Sequence, residues 1–296
     1  MEYIGELSAL GAAVLWSFSS VLFTSVAQKI GSVQLSFWRL IFAVILLGIT
    51  LYAASIPLDL TRNQIIFLSL SGIIGLVIGD TFLFGAFKEI GPRLSMLLMS
   101  VNPAMAAVIA YFFLDEHLSF IAIIGMALTL AGIYIVIGTK ENNINKQFTI
   151  SPKGITFGLL AALGQAIGLL LAKMAFNDAE LNGLAATQVR IIAAIILMFP
   201  LLVITGKFKN PFKLFGKDYK LLGTLTIGSI IGPYLGITLS YIAIIYTKVG
   251  IAATLMSLVP VTILPVTRIV YKEHLTPATI TGTIIAVAGV AILFLR

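Results

Sequence analysis

The sequence predicts an all-α integral membrane protein of ten transmembrane helices, arranged as two inverted repeats of five. Three observations lead to this fold class. The mean hydropathy is +1.08 and only 10% of the 296 residues are charged, whereas soluble domains carry roughly a quarter. Apolar runs of transmembrane length recur along the whole chain, and the second half of the chain repeats features of the first.

Ten apolar segments are long enough to cross a bilayer, since a helix needs about 20 apolar residues for this. They are too long and too uniformly apolar for the strands of a membrane barrel, which alternate over ~10 residues. The breaks between them are short and contain turn-forming pairs such as Gly91-Pro92 and Asn210-Pro211. The predicted spans are residues 7–27, 33–53, 65–87, 94–114, 118–138, 155–172, 184–205, 221–245, 249–270 and 277–295.

Charge and cysteine content exclude several classes of function. The net charge of +7 comes from lysines and arginines in the short breaks, not from one basic face, so we expect no nucleic-acid partner. The chain has no cysteine, and its two histidines lie at different membrane edges. We therefore expect no catalytic residue, no metal site and no cofactor, and an intramembrane enzyme is a remote alternative.

The chain contains an internal repeat. A shift of 157 residues superimposes Met99-Ser100 on Met256-Ser257, Pro103 on Pro260, Glu116-His117 on Glu273-His274, Gly125 on Gly282, and Gly132 on Gly289. Nearer the start the shift falls to 151, where Arg39 matches Arg190. An ordered series of matches indicates duplication. The predicted repeats are residues 1–138 and 154–296, joined by a loop at 139–153.

Five spans in each repeat make the second repeat enter the membrane from the opposite side. Inverted repeats of this kind are typical of secondary transporters, in which two similar halves exchange conformations. The alternative is a duplicated structural bundle without transport activity.

Two sets of motifs mark the ends of the spans. The first half carries GAFKEIGPRLS at residues 85–95, Asn102-Pro103, and LDEHL at residues 114–118. The second half carries YIA from Tyr241, GIAA from Gly250, Val259-Pro260, and KEHL from Lys272. With Trp16 in the first span and Arg39 in the second, these motifs resemble the EamA-type transporters of the drug/metabolite transporter superfamily.

The resemblance implies two EamA repeats and a permease of the cell membrane that works by alternating access. It implies small amphipathic metabolites such as amino acids as substrates, moved outward. Uptake, or proton-coupled antiport of drugs or amines, is the alternative, and a channel is a remote one. Because no Walker A motif is present, ATP is not expected to drive transport directly. The expected partners are a small-molecule substrate, the lipid bilayer and protons, for a monomer or a homodimer.

Two arguments about orientation disagree. On the side of the termini lie Arg62, Lys173, Lys248 and Arg296, whereas the opposite side holds Lys29, Lys88, Arg93, Lys140, Lys146, Lys153, Lys207, Lys209, Lys213, Lys217, Lys220 and Lys272. The excess of basic residues predicts that the termini lie outside the cytoplasm. The family resemblance implies cytoplasmic termini. We call the side with twelve cations the basic face.

Asp80 is the acid that lies deepest in the apolar spans. An acid at this depth costs roughly 2.5–3.5 kcal/mol on insertion scales, so it faces a partner or a cavity. One hypothesis is a buried ion pair with Arg39 that stabilises the first repeat. The other is a position in the central cavity, where Asp80 binds a cationic group or a coupling proton. The equivalent position in the second repeat is Ile237.

The resemblance implies that spans one, three, four, six, eight and nine surround the cavity. Proline removes a backbone donor, which leaves the carbonyls of Met99 and Met256 available in kinked fourth and ninth spans. The candidate substrate-binding or coupling residues are Asp80, Trp16, Ser20, Met99, Asn102, Gln165, Tyr234, Tyr241 and Met256, and the candidate hinges are Pro103, Pro233 and Pro260.

A further group of residues is predicted to be structural. Arg39 and Arg190 each lie near the start of a span, where the guanidinium can reach the interface. Gly125, Gly132, Gly282 and Gly289 repeat at seven-residue spacing, which predicts close helix packing between the halves or between protomers. Glu116 and Glu273 are expected to cap the helices that follow.

Overall fold

The computed structural model describes residues 3–113, 119–139, 148–216 and 218–294. These ranges are helical almost throughout and contain no β-strand. They include nine helices long and apolar enough to cross a membrane. The protein is therefore an all-α, multi-pass membrane protein, as the sequence predicts.

Six helices and one π-helical segment form the first repeat. In chain order they are α1 (Ile4–Ile30), α2 (Ser32–Ala53), α3 (Arg62–Ser71), the first π segment (Gly72–Gly79), α4 (Asp80–Met99), α5 (Asn102–Phe113) and α6 (Phe120–Gly138). The third predicted span consists of α3, the first π segment and the first half of α4.

The second repeat follows the same order, with an extra short helix before its third span and with two helices at the positions that α4 occupies in the first repeat. Its elements are α7 (Pro152–Asp178), α8 (Gly183–Ile204), α9 (Pro211–Phe215), α10 (Tyr219–Ser229), the second π segment (Ile230–Gly236), α11 (Ile237–Tyr246), α12 (Val249–Met256), α13 (Val259–Val270) and α14 (Pro277–Phe294). The short α9 lies in the long loop between the seventh and eighth spans.

Side-chain caps determine where several helices begin. Thr61 accepts a hydrogen bond from the backbone N–H of Gln64, and Gln64 Oε1 accepts one from the backbone N–H of Thr61. Asn182 and Asp218 accept from the first N–H groups of α8 and α10. Each cap satisfies donors that the helix itself leaves unpaired.

The predicted count of ten separate spans is not confirmed. The expected fourth span, 94–114, is divided between the second half of α4 and the shorter α5. Gly91, at φ 78°, lets the chain turn inside α4, because this conformation is costly for residues with a Cβ. A second break follows at Ser100 and Val101. The start of the fifth span, at 118, lies outside the described residues.

Helices of each repeat pack against elements of the other repeat. The ninth span breaks at Ser257 and Leu258, 157 residues after the break in the fourth. The π segments also coincide under this shift, with Gly79 matching Gly236. Helix α7 packs against the first π segment, and α1 packs against the second. Each repeat therefore uses its first helix to cover the third span of the other.

Helices α6 and α14 form the closest contact between the halves. A Cβ atom built on Gly282 would lie 2.8 Å from the Gly132 carbonyl oxygen, and one on Gly125 would lie 2.7 Å from that of Gly289. The four predicted glycines therefore allow direct backbone contact between α6 and α14, that is, between the two halves. Without a hydrophobic drive in lipid, such close packing stabilises helix association.

We predict that Gly282→Ala destabilises the protein by about 1–3 kcal/mol, the usual cost of overpacking. The new methyl group would overlap backbone, which cannot move aside as a side chain can. The measurement is the thermal unfolding midpoint in detergent. Gly223→Ala is the matched control, because it lies inside α10 with no atom within 4 Å of the new Cβ. A midpoint for Gly282→Ala equal to that of the control would contradict the prediction.

Candidate functional site

A buried polar network lies beside the first π segment. Asp80 follows this segment directly and is 4% exposed. Its Oδ2 forms an ion pair with Arg39 Nη2, and its Oδ1 accepts a hydrogen bond of 2.6 Å from Gln165 Nε2. The network joins α2 and α4 of the first repeat to α7 of the second.

The surroundings of Arg39 explain how a membrane-buried guanidinium is accommodated. Its Cζ atom lies 4.9 Å from the ring centroid of Phe84, so the aromatic face adds to the attraction of Asp80. The structure thus contains the Arg39–Asp80 pair that was one of the two hypotheses for the acid. Binding of substrate or of a coupling proton by Asp80 stays a prediction.

The first π segment brings α7 close to the third span. A Cβ atom on Gly164 would lie 2.9 Å from the Cα of Gly79, and one on Gly168 would lie 3.1 Å from the Cα of Gly75. Gln165 Nε2 also approaches the carbonyl oxygen of Gly75 at 3.3 Å. π-Helical turns are rare and frequently occur at functional sites. The glycine spacing in GIIGLVIG was the signal in the sequence that could have located this segment.

The second π segment makes equivalent contacts with α1. A Cβ atom on Gly232 would lie 2.9 Å from the Ser19 side chain, and Gly236 packs against the indole of Trp16. Trp16 and Gln165 therefore occupy matching positions, each beside the last glycine of a π segment in the opposite repeat. Pro233 is buried within the second π segment.

Arg190 differs from its repeat mate Arg39. The backbone carbonyl of Arg190 contacts Gly72. Arg190 Nη2 lies 3.3 Å from the point where a Cβ atom on Gly75 would stand. Gln165 Oε1 lies 3.5 Å from the same position. Arg190 Nε is buried without a hydrogen-bond partner, and within the described ranges no carboxylate pairs with this arginine. Its predicted structural role therefore has no ion pair to support it.

Three other predicted site residues make contacts away from Asp80. Tyr234 shares a hydrogen bond of 2.9 Å with Thr50, and both Tyr234 and Tyr241 pack against the apolar cluster between α2 and α8. The Ser20 hydroxyl donates to the carbonyl of Ser17 within α1. The sequence grouped these residues with the acid because of their depth in spans that the family resemblance places around the cavity.

The prolines of the fourth and ninth spans begin new helices. Pro103 and Pro260 are the second residues of α5 and α13, where a missing N–H costs nothing. The two spans are interrupted just before these prolines by short turns, in which Ser100, Ser257 and Leu258 keep right-handed helical torsion angles. Asn102 opens α5 and is half-buried, while Met99 ends α4. Met256 packs against the cluster of Ala9 and Ala252.

An ion pair that the sequence did not reveal joins the repeats at the basic face. Arg93 Nε lies 2.7 Å from Glu273 Oε2, and each side chain is 12% exposed. Arg93 begins the fourth span, and Glu273 follows the ninth. Glu273, which is expected to cap a helix, pairs with an arginine of the other repeat. Glu116, its repeat mate, lies outside the described residues.

The fourth and ninth spans converge at the basic face. There α4 packs against α13, and Met96 of α4 contacts the cluster of Val21, Ile263 and Val266. Toward the other face, α5 packs against α7 and α14, and α12 packs against α1, α11 and α14. The two spans therefore make their mutual contact on the side where Arg93 meets Glu273.

These features define a multi-pass membrane protein of two interlocked repeats with a polar network between them. Comparison with known proteins assigns the class more closely. The model of the EamA-like transporter family matches residues 3–138 and again residues 152–295. The chain therefore belongs to the EamA-like transporter family.

Two further similarities agree with this assignment. A protein of Clostridium kluyveri described as "Uncharacterized transporter" is 29% identical over 149 residues, which are 49% of this chain and 48% of that protein. The match thus spans about half the length of this relative. A solved structure described as "Crystal structure of protein" covers 99% of this chain and 96% of its own, with a TM-score of 0.68 and 17% identity. At this identity the likeness concerns the fold alone.

We predict that the Arg39–Asp80 pair stabilises the fold as a unit. Arg39→Gln or Asp80→Asn alone leaves a buried charge unpaired, which costs about 3–5 kcal/mol. The double variant removes both charges and should lose less than the sum of the two. Together with the wild type, the two single variants and the double variant form a double-mutant cycle. The measurement is the thermal unfolding midpoint of all four proteins in detergent.

Lys29→Gln is the control for this cycle, because Lys29 pairs with Asp218 at 2.8 Å on the surface. Such exposed pairs contribute about 1 kcal/mol or less. Additive effects of the two buried substitutions would mean that the side chains stabilise the fold independently.

Proposed function

We propose that this transporter is a secondary active permease that moves small amphipathic metabolites such as amino acids outward by alternating access. The observation that carries the proposal is the network of Arg39, Asp80 and Gln165. It crosses from one repeat to the other at bilayer depth, beside a π segment. Charged residues within membrane spans usually belong to substrate or ion pathways.

Asp80 supplies a group for which substrate or protons can compete. Its carboxylate is held by one arginine and one amide, both of which can be exchanged for the ammonium group of a solute. Protonation would weaken its attraction for Arg39 and release Gln165, which belongs to the other repeat. A proton or an amine arriving at Asp80 would therefore loosen the contact between repeats. The same chemistry favours proton-coupled drug or amine antiport as the second candidate function.

The asymmetry of the membrane faces supports alternating access. Arg93 and Glu273 join the fourth and ninth spans at the basic face. The position equivalent to Arg93 in the second repeat is Gly250, so the opposite face lacks this arginine. We assign to the Arg93–Glu273 pair the role of holding the basic face closed in one of two exchanging states.

Counterflow in proteoliposomes tests the proposed transport. We would preload unlabelled amino acids, nucleosides, sugars or amines, follow uptake of the labelled solute, and repeat the measurement at two pH values. Wild type should exchange amino acids and not nucleosides or sugars, and Asp80→Asn should lose that exchange or its pH dependence. The Arg39→Gln/Asp80→Asn double variant removes the acid without leaving a buried charge unpaired, and Asp218→Asn is the surface control.

Wild type that exchanges none of these classes would contradict the proposed function. Full exchange with unchanged pH dependence in both Asp80 variants would remove the acid from the mechanism. Exchange of amines alone would favour the antiporter.

We predict that Glu273→Gln opens the basic face more often. Because the chain has no native cysteine, Val266→Cys provides a single label site. Val266 is buried with Val21 and Met96 where the fourth and ninth spans meet. Membrane-impermeant thiol reagents applied from the basic face should label Val266→Cys several-fold faster with Glu273→Gln than without it. Asp218→Asn, which breaks a surface pair, should leave the rate unchanged, and equal rates in all three proteins would refute the closing role.

A further inference from the structure

We infer that Arg190 binds the carboxylate of the transported solute, and that the solute is an α-amino acid. This inference rests on the proposed transport function and names the substrate group that Arg190 recognises. Its basis is a membrane-buried guanidinium that has no counter-charge in the described protein and borders the same amide as Asp80.

The position of Arg190 suits a substrate site. Arg190 lies seven residues into α8, about 10 Å along the helix. Its backbone carbonyl meets Gly72 and its Nη2 meets Gly75, so the side chain extends away from the membrane face at which α8 begins. Its Nη2 lies against Gly75, where the absence of a side chain makes room for the guanidinium next to the first π segment. Transporter sites of duplicated folds lie near the bilayer midplane, where repeats meet irregular helices.

The charge of Arg190 favours the binding of an anion at this site. A buried arginine without an anionic partner is costly in a bilayer, and Arg39 shows the usual solution by pairing with Asp80. The second repeat has Ile237 where the first has Asp80, so the equivalent acid is missing. Guanidinium groups bind carboxylates through two parallel hydrogen bonds, which is the geometry a solute carboxylate supplies.

Gln165 connects the two charges of the site. Its Nε2 donates to Asp80. Its Oε1 and Arg190 Nη2 both lie within 3.5 Å of the point where a Cβ atom on Gly75 would stand. The amide is thus flanked by an anion on one side and by an unpaired cation on the other. A zwitterion matches this order, with its carboxylate at Arg190 and its ammonium group toward Asp80. Solutes with a single charge match half of the site.

Three probes separate the charges of the solute. L-Phenylalanine carries both groups, phenethylamine lacks the carboxylate, and 3-phenylpropionate lacks the ammonium group. We would measure the binding of each to purified protein by thermal shift in detergent, and their competition with labelled L-phenylalanine in counterflow. The proteins are wild type, Arg190→Gln, Arg190→Lys, and Arg268→Gln as an exposed-arginine control.

Arg190→Gln should weaken the binding of L-phenylalanine and 3-phenylpropionate by about 10- to 100-fold, the effect of losing a charge-assisted hydrogen bond. It should leave phenethylamine unchanged, which a general loss of folding would not do. Arg190→Lys keeps the charge and should retain part of the affinity for carboxylates. Arg268→Gln should match wild type.

The outcomes distinguish this inference from the proposed function. Carboxylate binding that depends on Arg190, without counterflow in wild type, would support a carboxylate site at Arg190 and contradict the proposed transport. Counterflow with equal affinities in wild type and Arg190→Gln would support transport and overturn the inference. An equal loss for all three probes in Arg190→Gln, or no binding of the two carboxylates to wild type, would also overturn the inference.

Discussion

The ion pair between Arg39 and Asp80 is the constraint on which the centre of this protein depends. In hydrocarbon neither charge can rely on water, so each requires a partner within the protein. Asp80 uses its second oxygen to accept from Gln165, which ties the pair to the other repeat. The glycines of the first π segment let α7 approach closely enough for this bond. Packing and charge pairing therefore require each other.

The two repeats share their backbone packing but differ in several charged side chains. The π segments, the breaks in the fourth and ninth spans and the glycine contact of α6 with α14 recur in both repeats. Arg39 recurs as Arg190, but two other charges do not recur: Asp80 corresponds to Ile237, and Arg93 corresponds to Gly250. Small residues preserve backbone contacts that both repeats need in lipid. Charged side chains are costly in lipid, and Asp80 and Arg93 each occur in one repeat only.

Much of the fold was predictable because the bilayer limits the possible structures. Crossing it requires about 20 apolar residues per helix, so the apolar runs located the spans. The glycine pairs at seven-residue spacing predicted the contact of α6 with α14. The breaks were harder to predict, since Pro103 and Pro260 are compatible with a kinked helix as well as with the start of a new one. Contacts of the neighbouring helices decide between these forms.

The sequence by itself determined the membrane class, the duplication and the depth of Asp80, Arg39 and Arg190, because these follow from hydropathy and position along single helices. The tertiary structure decided the partners. It pairs Asp80 with Arg39 and Gln165, pairs Glu273 with Arg93, and leaves Arg190 beside Gly75 without an acid in the described chain. The helical period assigns a residue to a face of its own helix. The rotation and register between helices, which bring two faces together, arise only from packing all of them.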